Sequence, residues 1–387
     1  EKKLDEAAIQ GMLSIATDRY TQYIPPSKAV AYEYELEGRF TGVGVELDPF
    51  DEGPGLLVAL PIPGSPADEA GVRSGDRFVA VDGTSLDDYD RNGAIELVKG
   101  LEGTDVTLTI RRDEQDFDLT MQRAAVSSPP LQGFRRNDDG TPSFWVTPPS
   151  DIADPTGSPK IGYIYLQQFT PNLAEIVRAK IDELAGDGMQ GLILDLRLNG
   201  GGLLGETQQL MDHFLPGGVM VWAEGKHYPK RLSVARPEAT LLDLPIVVLI
   251  DGRSASASEV FAGAMSDWDR ATVVGTRSFG KGSVQQPSPT PAGGTLTVTT
   301  AYYHLPSGRI VHRNPRSAVW GVDPDVPATV DYADPSVRPT RDAPFAATQV
   351  WAAYEVLLAM LADGDAGEST LVPRVDVPND SPTGEEQ

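Results

Sequence analysis

Between residues 244 and 268 the chain passes from a buried strand through a turn of small residues into a helix, and the rest has to be arranged about that junction. Leu244-Pro-Ile-Val-Val-Leu-Ile250 is a short apolar run rich in β-branched residues, which predicts a buried strand. Asp251-Gly-Arg-Ser-Ala-Ser-Ala-Ser-Glu259 follows it. Val260, Ala264 and Trp268 then recur at four-residue intervals, so a helix is predicted to start near Ser256. A serine on such a turn projects its hydroxyl from a rigid support. The free N–H groups of the first helical turn can receive a developing oxyanion.

A serine nucleophile needs a base. None of the four histidines (His213, His227, His304 and His312) stands in a G-x-S-x-G or comparable setting. The other available base is a desolvated lysine, whose pKa falls when burial disfavours its charged form. Lys281 is flanked by Gly280 and Gly282, with Phe279 beside it to exclude water. Gln285, four residues on, can hold the amine by hydrogen bond without adding a charge. Either motif alone also reads as a small-residue turn or as a surface lysine in a Gly-rich hairpin.

These residues resemble the signature of the C-terminal processing (tail-specific) peptidases, serine proteases with a Ser/Lys dyad and a supporting Gln. That family carries Ser-Ala-Ser-Ala-Ser-Glu and, further along, Phe-Gly-Lys-Gly-x-x-Gln. Ser256 precedes Lys281 by 25 positions, which matches the family's nucleophile. The resemblance implies Ser256 as nucleophile, Lys281 as general base and Gln285 as the residue that orients it. It also implies an α/β, crotonase-like protease core with an inserted β-rich PDZ domain and an N-terminal helical segment.

Zero cysteines exclude disulfides, thiol catalysis and thiolate metal sites. A net charge of −24 argues against a broad basic face for nucleic acid or an anionic membrane. No window reaches the ~18 to 20 uninterrupted apolar residues of a membrane span. The chemistry requires no metal, nucleotide or redox cofactor.

Along the chain, residues 1–39 read as an N-terminal helical segment with Leu4, Ala8, Met12 and Ile15 in one stripe. Residues 40–123 read as a separate β-rich module, with strands at Phe40–Leu47, Gly55–Leu60, Arg77–Val81, Val106–Ile110 and Phe117–Met121. A short helix is predicted over Asp90–Val98. The block from Gly64 to Gly83 resembles the PDZ signature. PDZ domains capture a C-terminal peptide as an added strand, with loop N–H groups on its carboxylate. The resemblance places that loop at Gly42, Val43, Gly44 and Val45, and makes Ile95 a wall of the groove.

Residues 124–160 connect the modules, with a strand expected around Phe144–Val146. Residues 161–330 alternate strands and helices, which predicts a largely parallel sheet with right-handed crossovers. Strands are expected at Ile161–Phe169, Gly191–Leu196, Thr272–Gly275 and Thr295–Tyr303, and helices from Pro171 to about Ala185 and over Leu203–Leu215. Asp195-Leu-Arg-Leu-Asn-Gly-Gly-Gly202 permits a tight turn with N–H groups aimed at one spot. The family's equivalent element supplies one oxyanion donor, here Gly202 with Gly201 as the neighbouring alternative, and Ala257 supplies the other. Asp195 and Arg197 read as a structural ion pair. Residues 331–365 form an extension with a helix around Thr348–Leu361, and 366–387 a disordered acidic tail.

The resemblance implies an endopeptidase acting on protein or peptide substrates with exposed C-termini, and a location outside the cytoplasm in the periplasm or cell envelope. A homo-oligomer or an adaptor protein is an expected partner; nucleic acid is not. Two competing readings are a catalytically silent PDZ scaffold that only binds tails and a crotonase-type acyl-CoA enzyme.

Overall fold

The computed structural model describes residues 2–48, 51, 53–137, 141–147, 157–236, 243–291, 293–314, 318–330 and 348–362. At its centre six strands run in the order Leu131–Gln132, Ile161–Leu166, Gly191–Asp195, Ile246–Ile250, Thr272–Gly275 and Val326–Pro327. The first pairing is antiparallel and the other four are parallel. Gly191–Asp195 and Ile246–Ile250 are buried at every position, because helices cover both faces of the sheet. Helices Leu173–Gly186, Leu204–Asp212 and Ala257–Asp267 pack against Leu192, Leu194, Val248 and Ile250 on one face. The C-terminal helix Thr348–Ala362 packs against Ile193, Val247 and Leu249 on the other. Odd and even residues of each strand therefore serve different helix layers.

A second, antiparallel sheet departs from the expected alternation. Thr295–His304 pairs with Gln22–Ile24, Gly218–Gly225 and Ser283–Pro289, and Gly218–Gly225 also pairs with Tyr228–Ala235. The predicted strand at Thr295–Tyr303 therefore belongs to this sheet and not to the parallel one. Tyr228–Ala235 exposes much of its polar surface, so its sequence carries little apolar alternation. This sheet anchors the N-terminal segment to the core through Gln22–Ile24.

The β-rich module has its own core, built from Leu56, Phe78, Leu86, Leu108 and Ile110. Arg39–Gly42 pairs antiparallel with Ala124–Ser127, so the chain enters and leaves the module side by side. The strand predicted over Phe40–Leu47 is broken at Val43–Gly44, where Gly44 takes a φ of 83°. Asp90 caps the helix Arg91–Val98 by accepting the Gly93 N–H at 2.7 Å. The module meets the core where Gln132 Nε2 donates to Glu46 Oε1 at 2.8 Å. Burial there pushes the Glu46 carboxyl above its usual range.

The N-terminal helix Lys2–Ala16 forms as predicted, but Met12 and Ile15 on its stripe are 62% and 89% exposed. The strand expected at Phe144–Val146 reduces to one bridge between Trp145 and Gly162. Helix Leu173–Gly186 starts two residues after Pro171, because Asn172 is held at φ 66°. The expected acidic tail lies outside the described residues. Among those residues, no helix is long and apolar enough to cross a membrane.

Candidate active site

The turn after Ile246–Ile250 is tied down before it reaches Ser256. Asp251 Oδ1 accepts the N–H groups of Leu198, Arg253 and Ser254 at 2.9 to 3.1 Å. The Ser254 hydroxyl donates to Leu196 O at 2.8 Å, and the Ser258 hydroxyl donates to Asn199 O at 2.9 Å. Both of these serines are fully buried, whereas Ser256 between them is partly exposed. Of the three serines, only the middle one presents its hydroxyl to a solvent-reachable face. Ser256 caps the helix Ala257–Asp267 with φ 56° and ψ −115°, a conformation L-residues rarely adopt. Holding a residue there costs on the order of 1–3 kcal/mol, which the surrounding hydrogen bonds offset.

Glu259 is the residue that the sequence left unremarked. It lies one turn into the helix and is fully buried. Its Oε2 accepts the N–H of Ser256 at 2.9 Å and the N–H of Lys281 at 2.7 Å. Its Oε1 accepts the Ser278 hydroxyl at 2.6 Å and the Gly280 N–H at 2.7 Å. The turn carrying the serine and the loop carrying the lysine thus converge on one carboxylate. Burial pushes this carboxyl up, and the four donors pull against that. A Glu three residues after a helix-capping Ser is a recognisable sequence signal, but its reach to residues 278–281 is not.

Burial holds the Lys281 ammonium below the ordinary lysine range, while the Glu259 charge opposes that shift. Its Nζ sits 5.5 Å from the centroid of the Tyr20 ring. Phe279, expected to exclude water here, is 37% exposed, with the Arg19 guanidinium over its ring at 5.2 Å. Tyr20, from the N-terminal segment, covers the amine instead. Among the described residues, no hydrogen bond joins Lys281 Nζ to the Ser256 hydroxyl or to Gln285. The Gln285 amide donates to Ser283 Oγ at 2.8 Å and to Thr299 Oγ1 at 3.2 Å.

The glycine turn after Gly191–Asp195 lies directly against the serine. A Cβ on Gly201 would stand 2.8 Å from both Ala255 O and Ser256 Cβ, and its φ is 108°, so only glycine fits. Asn199 locks the turn from inside the fold. Its Nδ2 donates to Leu166 O at 2.7 Å, its Oδ1 accepts the Gly201 N–H at 2.8 Å, and its carbonyl accepts the Ala255 N–H at 3.0 Å. The Gly201 amide is therefore committed. Among the described residues, the N–H groups of Gly202 and Ala257 donate to no partner; Ala257 follows the serine in the chain, and Gly202 follows Gly201 and lies against the Phe169 backbone. The Asp195–Arg197 ion pair forms beneath this turn at 2.6 Å, buried at both ends.

The groove of the β-rich module is lined by Val43, Val45, Leu56, Phe78, Ile95 and Val98. Gly42 and Gly44 form its rim. Among the described residues, the Val43 and Gly44 N–H groups donate to no partner, while their carbonyls accept from Ala67 and Ile62. Apolar walls beside free backbone donors suit an extended peptide ending in an apolar residue.

Residues 160–328 match Peptidase family S41, and residues 57–112 match the PDZ domain. The carboxy-terminal-processing protease of Bartonella bacilliformis is 36% identical over 336 residues, covering 84% of this chain and 70% of that protein. The carboxyl-terminal-processing protease of a Picosynechococcus species is 31% identical over 309 residues, covering 79% of this chain and 70% of its own. The solved structure of a photosystem II D1 C-terminal processing protease superposes with a TM-score of 0.54 at 28% identity, covering 92% of this chain and 86% of the other.

Proposed function

The chain belongs to the carboxy-terminal-processing proteases of peptidase family S41, and from that premise we propose an endopeptidase that selects unfolded proteins by their C-terminal tails. Neutral Lys281 takes the proton of Ser256 as its oxygen attacks a peptide carbonyl, and the Gly202 and Ala257 N–H groups hold the tetrahedral oxyanion. The lysine returns the proton to the leaving amine, and water then hydrolyses the acyl-serine. To act so, the Lys281 amine leaves the Tyr20 ring for the serine, and Gln285 is the group that steadies it there. The module at residues 40–123 captures the substrate tail along Gly42–Val45, with Ile95 in the wall. The observation that supports this reading is the convergence of the Ser256 and Lys281 amides on one Glu259 oxygen. The paired amides beside a mostly parallel sheet support a crotonase-like core over residues 161–330. An extracytoplasmic site of action, with an oligomer or adaptor as partner, belongs to the same proposal.

Incubation with an unfolded protein bearing an apolar C-terminus tests this reading. Wild type should cleave it, and Ser256→Ala should bind it without cleavage. Binding without cleavage by both would favour a tail-binding scaffold, and turnover of an acyl-CoA thioester would favour the crotonase chemistry.

Gly44→Ala isolates the capture step. At φ 83° its new Cβ would sit 2.3 Å from Ser65 Cβ, so the loop has to move. Calorimetric titration with an apolar-ended peptide should show affinity lowered about tenfold, or about 1.4 kcal/mol. Cleavage of a short peptide that does not engage the groove should be unchanged. Undiminished affinity would remove the loop from tail binding.

A further inference from the structure

The C-terminal helix Thr348–Ala362 buries Val350, Ala353, Tyr354 and Leu357 against the sheet, which packing alone explains. Its second residue is different. Gln349 is polar and 1% exposed, so both ends of its amide need partners. Its Nε2 donates to Ala328 O at 2.8 Å, and its Oε1 accepts Arg197 Nη1 at 3.1 Å. Asp195 holds the same guanidinium: Nη2 donates to Oδ2 at 2.6 Å and Nε donates to Oδ1 at 3.0 Å. Tyr163 adds a donor to the same carboxylate at 2.5 Å.

Arg197 is two residues before Asn199, the residue that locks the glycine turn against the serine. Between them Leu198 is held at φ 63°, a left-handed conformation that its neighbours must impose. The Arg197 backbone N–H also donates to Asp195 Oδ1 at 2.9 Å, so side chain and backbone share one anchor. A shift of the guanidinium would therefore pass directly into the turn that ends at Gly202.

We propose that Gln349 is a positioning residue for the hydrolysis: from the far face of the sheet it holds Arg197, and through Arg197 it fixes the aim of the Gly202 N–H. The inference rests on the reading of Gly202 and Ala257 as the oxyanion donors. It gives one residue of the C-terminal helix, Gln349, a positioning role, while the rest of the helix serves as a cover for the sheet.

The test uses the full chain and compares Gln349→Met, which fills the same volume without hydrogen bonds, with Gln349→Glu, which keeps an acceptor for the guanidinium. Leu358→Ala, on the same helix but away from Arg197, controls for loss of stability. For Gln349→Met, kcat on a tail-bearing peptide should fall about tenfold with KM within about twofold. Its affinity for a peptidyl boronate, which occupies the oxyanion position, should fall by the same factor. Gln349→Glu should keep kcat within about threefold of wild type, and Leu358→Ala should lower Tm without changing kcat. Gln349→Leu supplies the same comparison where the methionine variant does not fold. Wild-type kcat and boronate affinity in the apolar variant would overturn the proposal, as would an equal loss in Leu358→Ala. Hydrolysis that persists in Ser256→Ala would instead overturn the serine mechanism on which it rests.

Discussion

Glu259→Gln should lower kcat/KM about 10²–10³-fold, although it exchanges a single oxygen for an NH₂ group of nearly the same size. Each oxygen of the native carboxylate accepts two donors, one oxygen taking Ser256 and Lys281 and the other Ser278 and Gly280. An amide turns one of those oxygens into an NH₂ group, so whichever way it faces, two buried donors meet a third. Each unpaired donor costs about 1–3 kcal/mol, and the loops relieve that by separating. Separation moves the serine turn from the lysine loop, so the loss should appear in kcat more than in KM. Because the Glu259 charge opposes the downward shift of Lys281, the residual activity should titrate at lower pH than wild type. Thermal unfolding should show a lower Tm. Wild-type kcat in a folded Glu259→Gln protein would show that the clamp has no part in the chemistry.

Lys281→Met should do the opposite to stability while abolishing activity. Loss of the general base should lower kcat about 10³-fold or more, with tail binding unchanged, since the groove lies in the other module. The stability argument follows from the sign of the shift. Burial depresses the Lys281 pKa in the folded state. Below that folded value both states carry the proton, and the fold bears the full cost of a poorly solvated ammonium. As pH rises to the unfolded value of about 10.4 both states become neutral and the cost disappears. Lys281→Met should therefore raise Tm at neutral pH, with the gain vanishing in strong alkali. A Tm lower than wild type at neutral pH would mean that the amine is held by favourable contacts rather than tolerated for catalysis.

The parts of the fold that follow local rules were legible in the residues. Ile246–Ile250 and Gly191–Asp195 read as buried strands because a sheet covered on both faces leaves no polar alternation. Ser256 stands at the helix N-terminus where the small residues give way to a four-residue repeat. Three features were not legible, each because it depends on residues far apart in the chain. Glu259 finds its partners at 278, 280 and 281, on the other side of a helix and a strand. Tyr20 covers Lys281 only because Gln22–Ile24 joins the antiparallel sheet, an association of residues more than 270 positions apart. Gln349 meets Arg197 across 152 positions, and a lone glutamine opening an apolar helix gives no hint of it. The N-terminal stripe erred the other way: Met12 and Ile15 have the spacing of a buried face and lie in solvent, since periodicity shows that a face is apolar without showing what covers it.

The central claim is that a neutral amine at Lys281 activates Ser256 to form an acyl-enzyme. Rapid acid quenching during turnover of a tail-bearing peptide, followed by mass spectrometry of the protein, tests it directly. The account predicts a peptide fragment attached to Ser256, forming at a rate that rises with pH through one ionisation below the ordinary lysine range, and no adduct in Lys281→Met. Hydrolysis with no adduct at Ser256, or the same acylation rate and pH profile in Lys281→Met, would contradict it.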